Sequence, residues 1–270
     1  MKKDLLFVLF LFVYGSVMAQ TAQESIDSEV LDSKQSISIK LPKNYGENSD
    51  LEYPIILVLD GDYLLKPVIG QTDFQAYFEN MPGAIIVGAN YNGSKVGDNN
   101  SSSVSGYDAK FSKFIGEELL PYLDQKFNSN NFRVVVGYKH SASLMNSFLL
   151  NEQSLFQAYV NLSPEFTEDM SEKIIQRVQS LNSDVIYYIA SSMNDSKSRR
   201  VHALNVNKEL KYIHNNHFKF YFDDFIDMSH HTMVMSGVAR GVEKVFENYK
   251  PAVAGKEMKE EVVSYERILD

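Results

Sequence analysis

Hydrophobic and polar positions divide the chain into two kinds of segment. Continuous apolar runs of strand length occupy residues 54–59, 84–88, 133–137 and 184–190, with shorter runs at 158–162 and 218–222. Segments with helical period lie between them, at residues 110–126, 143–150, 170–181, 201–213 and 233–249. Unbroken apolar strands are typical of a parallel sheet that is buried on both faces. The pattern therefore predicts an α/β fold, a three-layer sandwich with a mostly parallel central sheet and helices on both faces.

The N-terminus follows a different pattern. Two lysines precede an apolar run at residues 5–14, and small residues lead to Ala19-Gln20. A basic start, a short apolar run and a small-residue cleavage site predict a signal peptide at residues 1–19. The apolar run is shorter than the roughly 20 residues that span a bilayer. We therefore expect export, to a bacterial periplasm or beyond it, and no stable membrane span once the signal is removed.

The remaining boundaries follow from local composition. Residues 20–35 are polar and are predicted to be a loose lead-in, whereas residues 36–41 alternate with period two and predict a half-buried strand. We expect one domain over residues 36–250, followed by a charged tail at 251–270. The polar segment 90–106 is long enough for a functional loop, although a solvated surface loop fits it equally.

Composition excludes several classes of function. The chain is 44% hydrophobic and 12% aromatic, and its formal charge is −9, which disfavours nucleic acids and anionic membranes as partners. It has no cysteine, so disulfides and thiolate metal sites are excluded. The histidines match no metal-ligand spacing and no glycine loop matches a phosphate-binding motif, so we expect neither a metal nor a cofactor.

One turn stands out as a candidate site. The apolar run 133–137 is followed by Tyr-Lys-His-Ser-Ala-Ser at residues 138–143, after which helical residues resume. Ligands of open parallel sheets gather where the strands end. A strand, a sharp turn and a helix are also the setting of a nucleophile elbow.

The sequence around this turn resembles the putative-esterase branch of α/β hydrolases, of the esterase D and enterochelin-esterase type. Residues 133–164, RVVVGYKHSASLMNSFLLNEQSLFQAYVNLSP, are similar without a gap to the family's strand, Gly-His-Ser-x-Gly-Gly turn, helix and Ser-Pro. Residues 53–62, 114–123 and 231–234 resemble further family segments, so the resemblance covers about residues 36–249. It implies an α/β-hydrolase fold.

The resemblance puts Lys139 at the position of the nucleophilic serine. A lysine ammonium is not a nucleophile, and loss of the nucleophile typically costs about 10⁶ in kcat. We therefore expect serine-esterase activity to be absent or very weak. An elbow shifted by two residues would instead make Ser141 the nucleophile. Alternatively, Ser141 caps the first turn of the helix that follows.

The other site residues are also implied by the resemblance. It places the base at His231, with its neighbour His230 as an alternative. It places the acid after the strand 184–190, at Asp195 or Asn194, and we favour Asp195 because a carboxylate stabilises a charged imidazole. Less favoured acids are Asp223, Asp224 and Asp227.

An oxyanion site would consist of backbone N–H groups. The resemblance places one at His140 and another within Gly61, Asp62 and Tyr63. A cationic Lys139 beside them favours a small carboxylate or ester ligand, unless it pairs with Asp62 or Asp195. The sequence thus leaves open a binding protein without turnover and a hydrolase of esters or acylated glycans, and it indicates no particular protein partner.

Overall fold

The computed structural model describes residues 21–91 and 106–249. The strands are β1 (Ala22–Ser28), β2 (Ser33–Lys40), β3 (Tyr53–Leu59), β4 (Ile85–Ala89), β5 (Ser129–Tyr138), β6 (Ala158–Leu162), β7 (Val185–Ser192) and β8 (Phe218–Phe225). The helices are α1 (Gly61–Tyr77), α2 (Gly106–Phe114), a π-helical turn (Ile115–Leu119), α3 (Leu120–Lys126), α4 (His140–Leu144), α5 (Asn146–Leu150), α6 (Glu168–Gln179), α7 (Lys197–Leu210) and α8 (His230–Phe246).

The eight strands form one sheet in the order β1-β2-β4-β3-β5-β6-β7-β8. Strands β3 to β8 are mutually parallel, while β2 runs antiparallel to both β1 and β4. The carboxyl ends of the parallel strands therefore meet at one edge of the sheet, where the loops that follow them converge. This architecture confirms the predicted mostly parallel α/β fold.

Helices cover both faces of the sheet, as predicted. Because side chains alternate across a strand, Ile56 and Val58 of β3 pack with the buried residues of α1 and α8, and Ile55 and Leu57 face the other layer. Helix α8 lies very close to the sheet: a Cβ atom on its Gly241 would be 2.6 Å from Val160 Cγ1. The close approach fixes α8, and hence its first residues, relative to the ends of β6 and β7.

Two elements were not predicted. The segment predicted as a loose lead-in contains β1, which pairs with β2 at the edge of the sheet and is polar because most of its residues are exposed. Helix α1 was missed because Pro67 and Gly70 interrupt its interior and aromatic residues lie on its exposed side. Proline and glycine at these positions are more typical of loops.

Several expectations fall outside the described residues: the signal peptide and its cleavage site, most of the 90–106 segment, and the charged tail. Within residues 21–91 and 106–249, no helix is both long and apolar enough to cross a membrane.

Candidate functional site

The turn between β5 and α4 carries Lys139 at its tip. Lys139 has φ 54° and ψ −116°, a conformation that residues with a side chain rarely adopt and that costs about 1–3 kcal/mol. The turn is tight, since a Cβ atom on Gly137 would lie 2.8 Å from Ala142 N. Lys139 N donates to Leu162 O at 2.9 Å, which ties the tip to the end of β6. The Lys139 side chain is therefore presented at the carboxyl edge of the sheet.

Ser141 lies inside the same turn. Its side chain is 1% exposed, and its Oγ accepts from Tyr138 N at 2.9 Å and donates to Tyr138 O at 3.0 Å. Both bonds close the turn onto the last residue of β5. The residue considered as an alternative nucleophile thus lies beneath the tip of the turn, where its hydroxyl serves the backbone.

A histidine and an aspartate meet beside the turn, and the histidine is His230. Its Nδ1 lies 2.5 Å from Asp195 Oδ1, and the two side chains are 16% and 1% exposed. Ser192 N donates to Asp195 Oδ2 at 3.0 Å, so the buried carboxylate has backbone support as well. His231, which the resemblance favoured, is exposed. Successive helical residues are rotated by about 100°, so only one of the two can face the β7 turn.

The other acid candidates point elsewhere. Asn194 Nδ2 donates to Met228 O at 2.8 Å. Asp223 accepts from Tyr188 at 2.9 Å, and Asp224 pairs with Arg200 at 2.6 Å. Asp227 lies in the exposed turn before α8. Asp195 is therefore the carboxylate that the fold brings to the imidazole.

The remaining nitrogen of this imidazole contacts Tyr138. The hydroxyl of Tyr138 is hydrogen-bonded to His230 Nε2, and the two rings lie 5.3 Å apart. Burial lowers the pKa of His230 despite the opposing effect of Asp195, and the nearby Lys139 and Arg199 charges act in the same direction as burial. Burial likewise raises the pKa of Tyr138 to about 12. Both shifts favour the neutral form of the group.

Two of the predicted oxyanion donors are engaged within the protein. Asp62 N donates to Asn90 Oδ1 at 2.9 Å, and Asn90 Nδ2 returns a bond to Asp62 Oδ1 at 2.5 Å. Tyr63 N donates to Asp60 O at 3.3 Å. Gly61 begins α1 against β4, where a Cβ atom would lie 3.0 Å from Gly88 Cα. Two of the N–H groups predicted to bind a ligand thus already have internal acceptors.

His140 begins α4, where the first N–H groups have no partner within the helix. Its ring stacks on Tyr91 at 5.3 Å, with Nε2 3.2 Å from the Tyr91 hydroxyl and 3.8 Å from Asp108 Oδ1. Asp108, and then Glu165, raise the pKa of His140 by stabilising its charged form. The sequence prediction used only its backbone, so the side-chain network was missed.

The Lys139 ammonium completes the site. It lies 4.8 Å from the centre of the Tyr138 ring. Among the described residues no carboxylate lies within 4.0 Å of it, so it pairs with neither Asp62 nor Asp195. Two acids next to the turn have other partners: Glu165 is bound by Arg199 at 2.9 Å, and Asp60 accepts from the Tyr63 hydroxyl at 2.9 Å. The arrangement places a cation, with no anionic partner within 4.0 Å in the described part of the chain, beside the His230 imidazole.

The main cavity of the described residues lies away from this site. A cavity of about 730 Å³ opens at the opposite edge of the sheet, lined by Pro54, Phe132, Ile186 and Phe246 among others, and includes none of the site residues. No group of acidic, histidine or cysteine residues in the described ranges could hold a metal ion.

Solved structures share this fold. An uncharacterised protein from Capnocytophaga ochracea is 24% identical with a TM-score of 0.79, over 86% of this chain and 65% of its own length. The chain thus spans slightly less than two thirds of that protein. An IroE-like serine hydrolase from Shewanella oneidensis is 18% identical with a TM-score of 0.77, over 86% of this chain and 81% of its own.

A ferulic acid esterase from Anaeromyces mucronatus, solved in complex with ferulic acid, is 12% identical with a TM-score of 0.65, over 86% of this chain and 93% of its own. No curated protein matches the sequence. The model of the family described as Putative esterase matches residues 28–167, just over half of the chain. The resemblance found in the sequence is thereby confirmed, and the chain belongs to the Putative esterase family.

Proposed function

We propose that this protein binds a small carboxylate or ester at the β5–α4 turn without hydrolysing it. The observation that carries the proposal is Lys139 at the tip of the turn, with a backbone conformation typical of an elbow nucleophile and an ammonium that has no carboxylate within 4.0 Å among the described residues.

Lysine at this position is unsuited to ester hydrolysis. A protonated amine has no lone pair to attack a carbonyl, and a neutral amine would form an amide, which does not turn over as an acyl-serine does. Removing the nucleophile of a triad typically leaves only the small rate supplied by binding and by oxyanion contacts. The engaged N–H groups of Asp62 and Tyr63 reduce those contacts further.

Ser141 does not replace the missing nucleophile in this proposal. Its hydroxyl is buried and bonded to both backbone groups of Tyr138. To attack a substrate it would have to leave both partners and pass the Lys139 backbone. Among the residues of this turn, the His230–Asp195 pair therefore has no serine hydroxyl to activate.

A carboxylate fits the charge of the site. A charge-assisted hydrogen bond from an ammonium to a carboxylate contributes about 1.5–3 kcal/mol. The structural neighbour bound to ferulic acid holds a carboxylic acid on the same fold. Lys139 is partly exposed, so a ligand can reach it from solvent.

The test compares hydrolysis and binding in the same protein. We expect the unmodified chain to hydrolyse p-nitrophenyl butyrate no faster than Lys139→Ala. We also expect butyrate binding, followed by NMR titration, to weaken at least about tenfold in Lys139→Met and to persist in Lys139→Arg. Lys113→Met, which removes a surface lysine on α2, is the matched control. Hydrolysis that disappears in Ser141→Ala, or butyrate affinity unchanged in Lys139→Met, would refute the proposal.

We further propose that the protein is exported and that the mature chain begins at Gln20. The basic start, the apolar run at residues 5–14 and Ala19 support this. Expression of the full sequence in a bacterium, followed by fractionation and N-terminal mass analysis, tests it. Cytoplasmic protein that retains residues 1–19 would contradict it.

A further inference from the structure

Nε2 of His230 is the ring nitrogen that does not contact Asp195, and it is hydrogen-bonded to the Tyr138 hydroxyl. An ionised Asp195 can only accept a hydrogen bond, so the proton of the neutral imidazole is on Nδ1. Nε2 is then the acceptor, and the Tyr138 hydroxyl donates to it. In a Ser-His-Asp triad the same nitrogen accepts the hydroxyl of the nucleophile.

The phenol is held in place from several sides. Tyr138 is the last residue of β5 and is 8% exposed. Its ring packs edge-on against Tyr63 at 6.2 Å, and the Lys139 ammonium lies over it at 4.8 Å. Aromatic and cation–π contacts of this kind are attractive and stabilise the position of the ring. The hydroxyl is thus directed at His230 by contacts that do not depend on a ligand.

We propose that Tyr138 is a positioning residue that caps Nε2 of His230 and keeps the imidazole unavailable to bound ligands. This inference rests on the proposed non-hydrolytic function and identifies a second feature, besides Lys139, that prevents turnover. The site would then present its ligand with the Lys139 cation and the outer face of the Tyr138–His230 pair.

The competing interpretation is that the phenol itself attacks an ester. His230 would take the phenol proton, an aryl ester would form on Tyr138, and the alcohol would leave with that proton before water released the acid. Burial opposes the required phenolate, because it raises the pKa of Tyr138 to about 12. A buried phenol also leaves little room for a tetrahedral intermediate. The geometry favours the cap.

The test measures the reactivity of Nε2 directly. Diethyl pyrocarbonate modifies unprotonated, accessible imidazole nitrogens, and peptide mass spectrometry separates His230 from its exposed neighbour His231. We expect Tyr138→Phe to raise the modification rate of His230 relative to His231 by about 2- to 10-fold, the equivalent of one hydrogen bond. Tyr221→Phe, which loses a surface hydroxyl bonded to Glu247, should leave the ratio unchanged.

An unchanged His230 to His231 ratio in Tyr138→Phe would overturn the cap. A rise confined to Tyr138→Phe supports it, provided that thermal unfolding shows the variant to be folded. If the variant unfolds, the ¹⁵N shift of His230 Nε2 in the unmodified protein decides the question. A hydrogen-bonded acceptor nitrogen supports the cap, and a free acceptor nitrogen overturns it.

Failure of the proposed function looks different. It would appear as ester hydrolysis by the unmodified protein, whatever the modification ratio. Hydrolysis lost in Tyr138→Phe, together with an acyl group on Tyr138, would refute both proposals in favour of a phenol nucleophile.

Discussion

Replacing Ser141 by alanine separates a structural hydroxyl from a catalytic one. The buried Ser141 Oγ accepts from Tyr138 N at 2.9 Å, so alanine leaves that N–H unpaired in a buried turn. Leaving a buried donor unsatisfied costs about 1–3 kcal/mol. We therefore expect the free energy of unfolding to fall by about 2 kcal/mol. For a domain of this size, that lowers Tm by about 4–8 °C.

Urea denaturation and thermal unfolding measure the loss, and Ser143→Ala is the matched control. Ser143 Oγ is 3.4 Å from Lys139 O, a carbonyl that also accepts Ser143 N at 3.1 Å, so its removal should cost less than about 0.5 kcal/mol. Ester hydrolysis should be the same in both variants. A Ser141→Ala protein as stable as its parent, with hydrolysis abolished, would refute the structural role.

Three further predictions follow from the turn and its neighbours. Because φ is 54° at Lys139, the free energy of unfolding in urea should be about 1 kcal/mol higher for Lys139→Gly than for Lys139→Ala. Equal stabilities of the two variants would contradict backbone strain at this position. The double variant that combines Tyr138→Phe with Lys139→Ser should hydrolyse p-nitrophenyl butyrate at least about tenfold faster than Lys139→Ser alone, because only the double variant frees His230 Nε2. Equal rates would count against the cap. Burial lowers the pKa of His230, so the folded state binds fewer protons and stability should fall as pH drops below about 6.5. His230→Gln should flatten this dependence in denaturation at pH 5 to 7, and an unchanged slope would contradict it.

The sequence predicted the central strands well because they are mostly apolar, and all six of those runs form strands of the parallel sheet. It failed at β1, where an exposed edge strand carries polar residues, and at α1, where Pro67 and Gly70 mask the helical pattern. Both elements are held by residues distant in the chain. Glu118 accepts hydrogen bonds from the backbone of the turn that follows β1, and Gln75 of α1 donates to Ala239 O of α8.

The sequence predicted the position of the turn but not all the contacts that its residues make. The strand–turn–helix pattern located Lys139, and the strand end located Asp195, which the structure pairs with a histidine. The choice between His230 and His231 depends on the rotation of α8 about its axis, which spacing alone does not fix. The Tyr138–His230 contact joins residues 92 positions apart and has no local signal.

The persistence of a His–Asp pair is weak evidence for hydrolysis in this fold. The Asp195 side chain is 1% exposed, and a buried carboxylate deprived of its partner typically destabilises a protein by about 3–5 kcal/mol. His230 therefore stabilises the fold even in a protein with no nucleophilic hydroxyl to activate. Its bonds to Tyr138 and Asp195 also link the ends of β5 and β7 through α8. The side chain at the tip of the turn has no such structural constraint, because Lys139 contacts solvent and a ring face. The identity of that tip residue is consequently more informative about chemistry than the pair beside it.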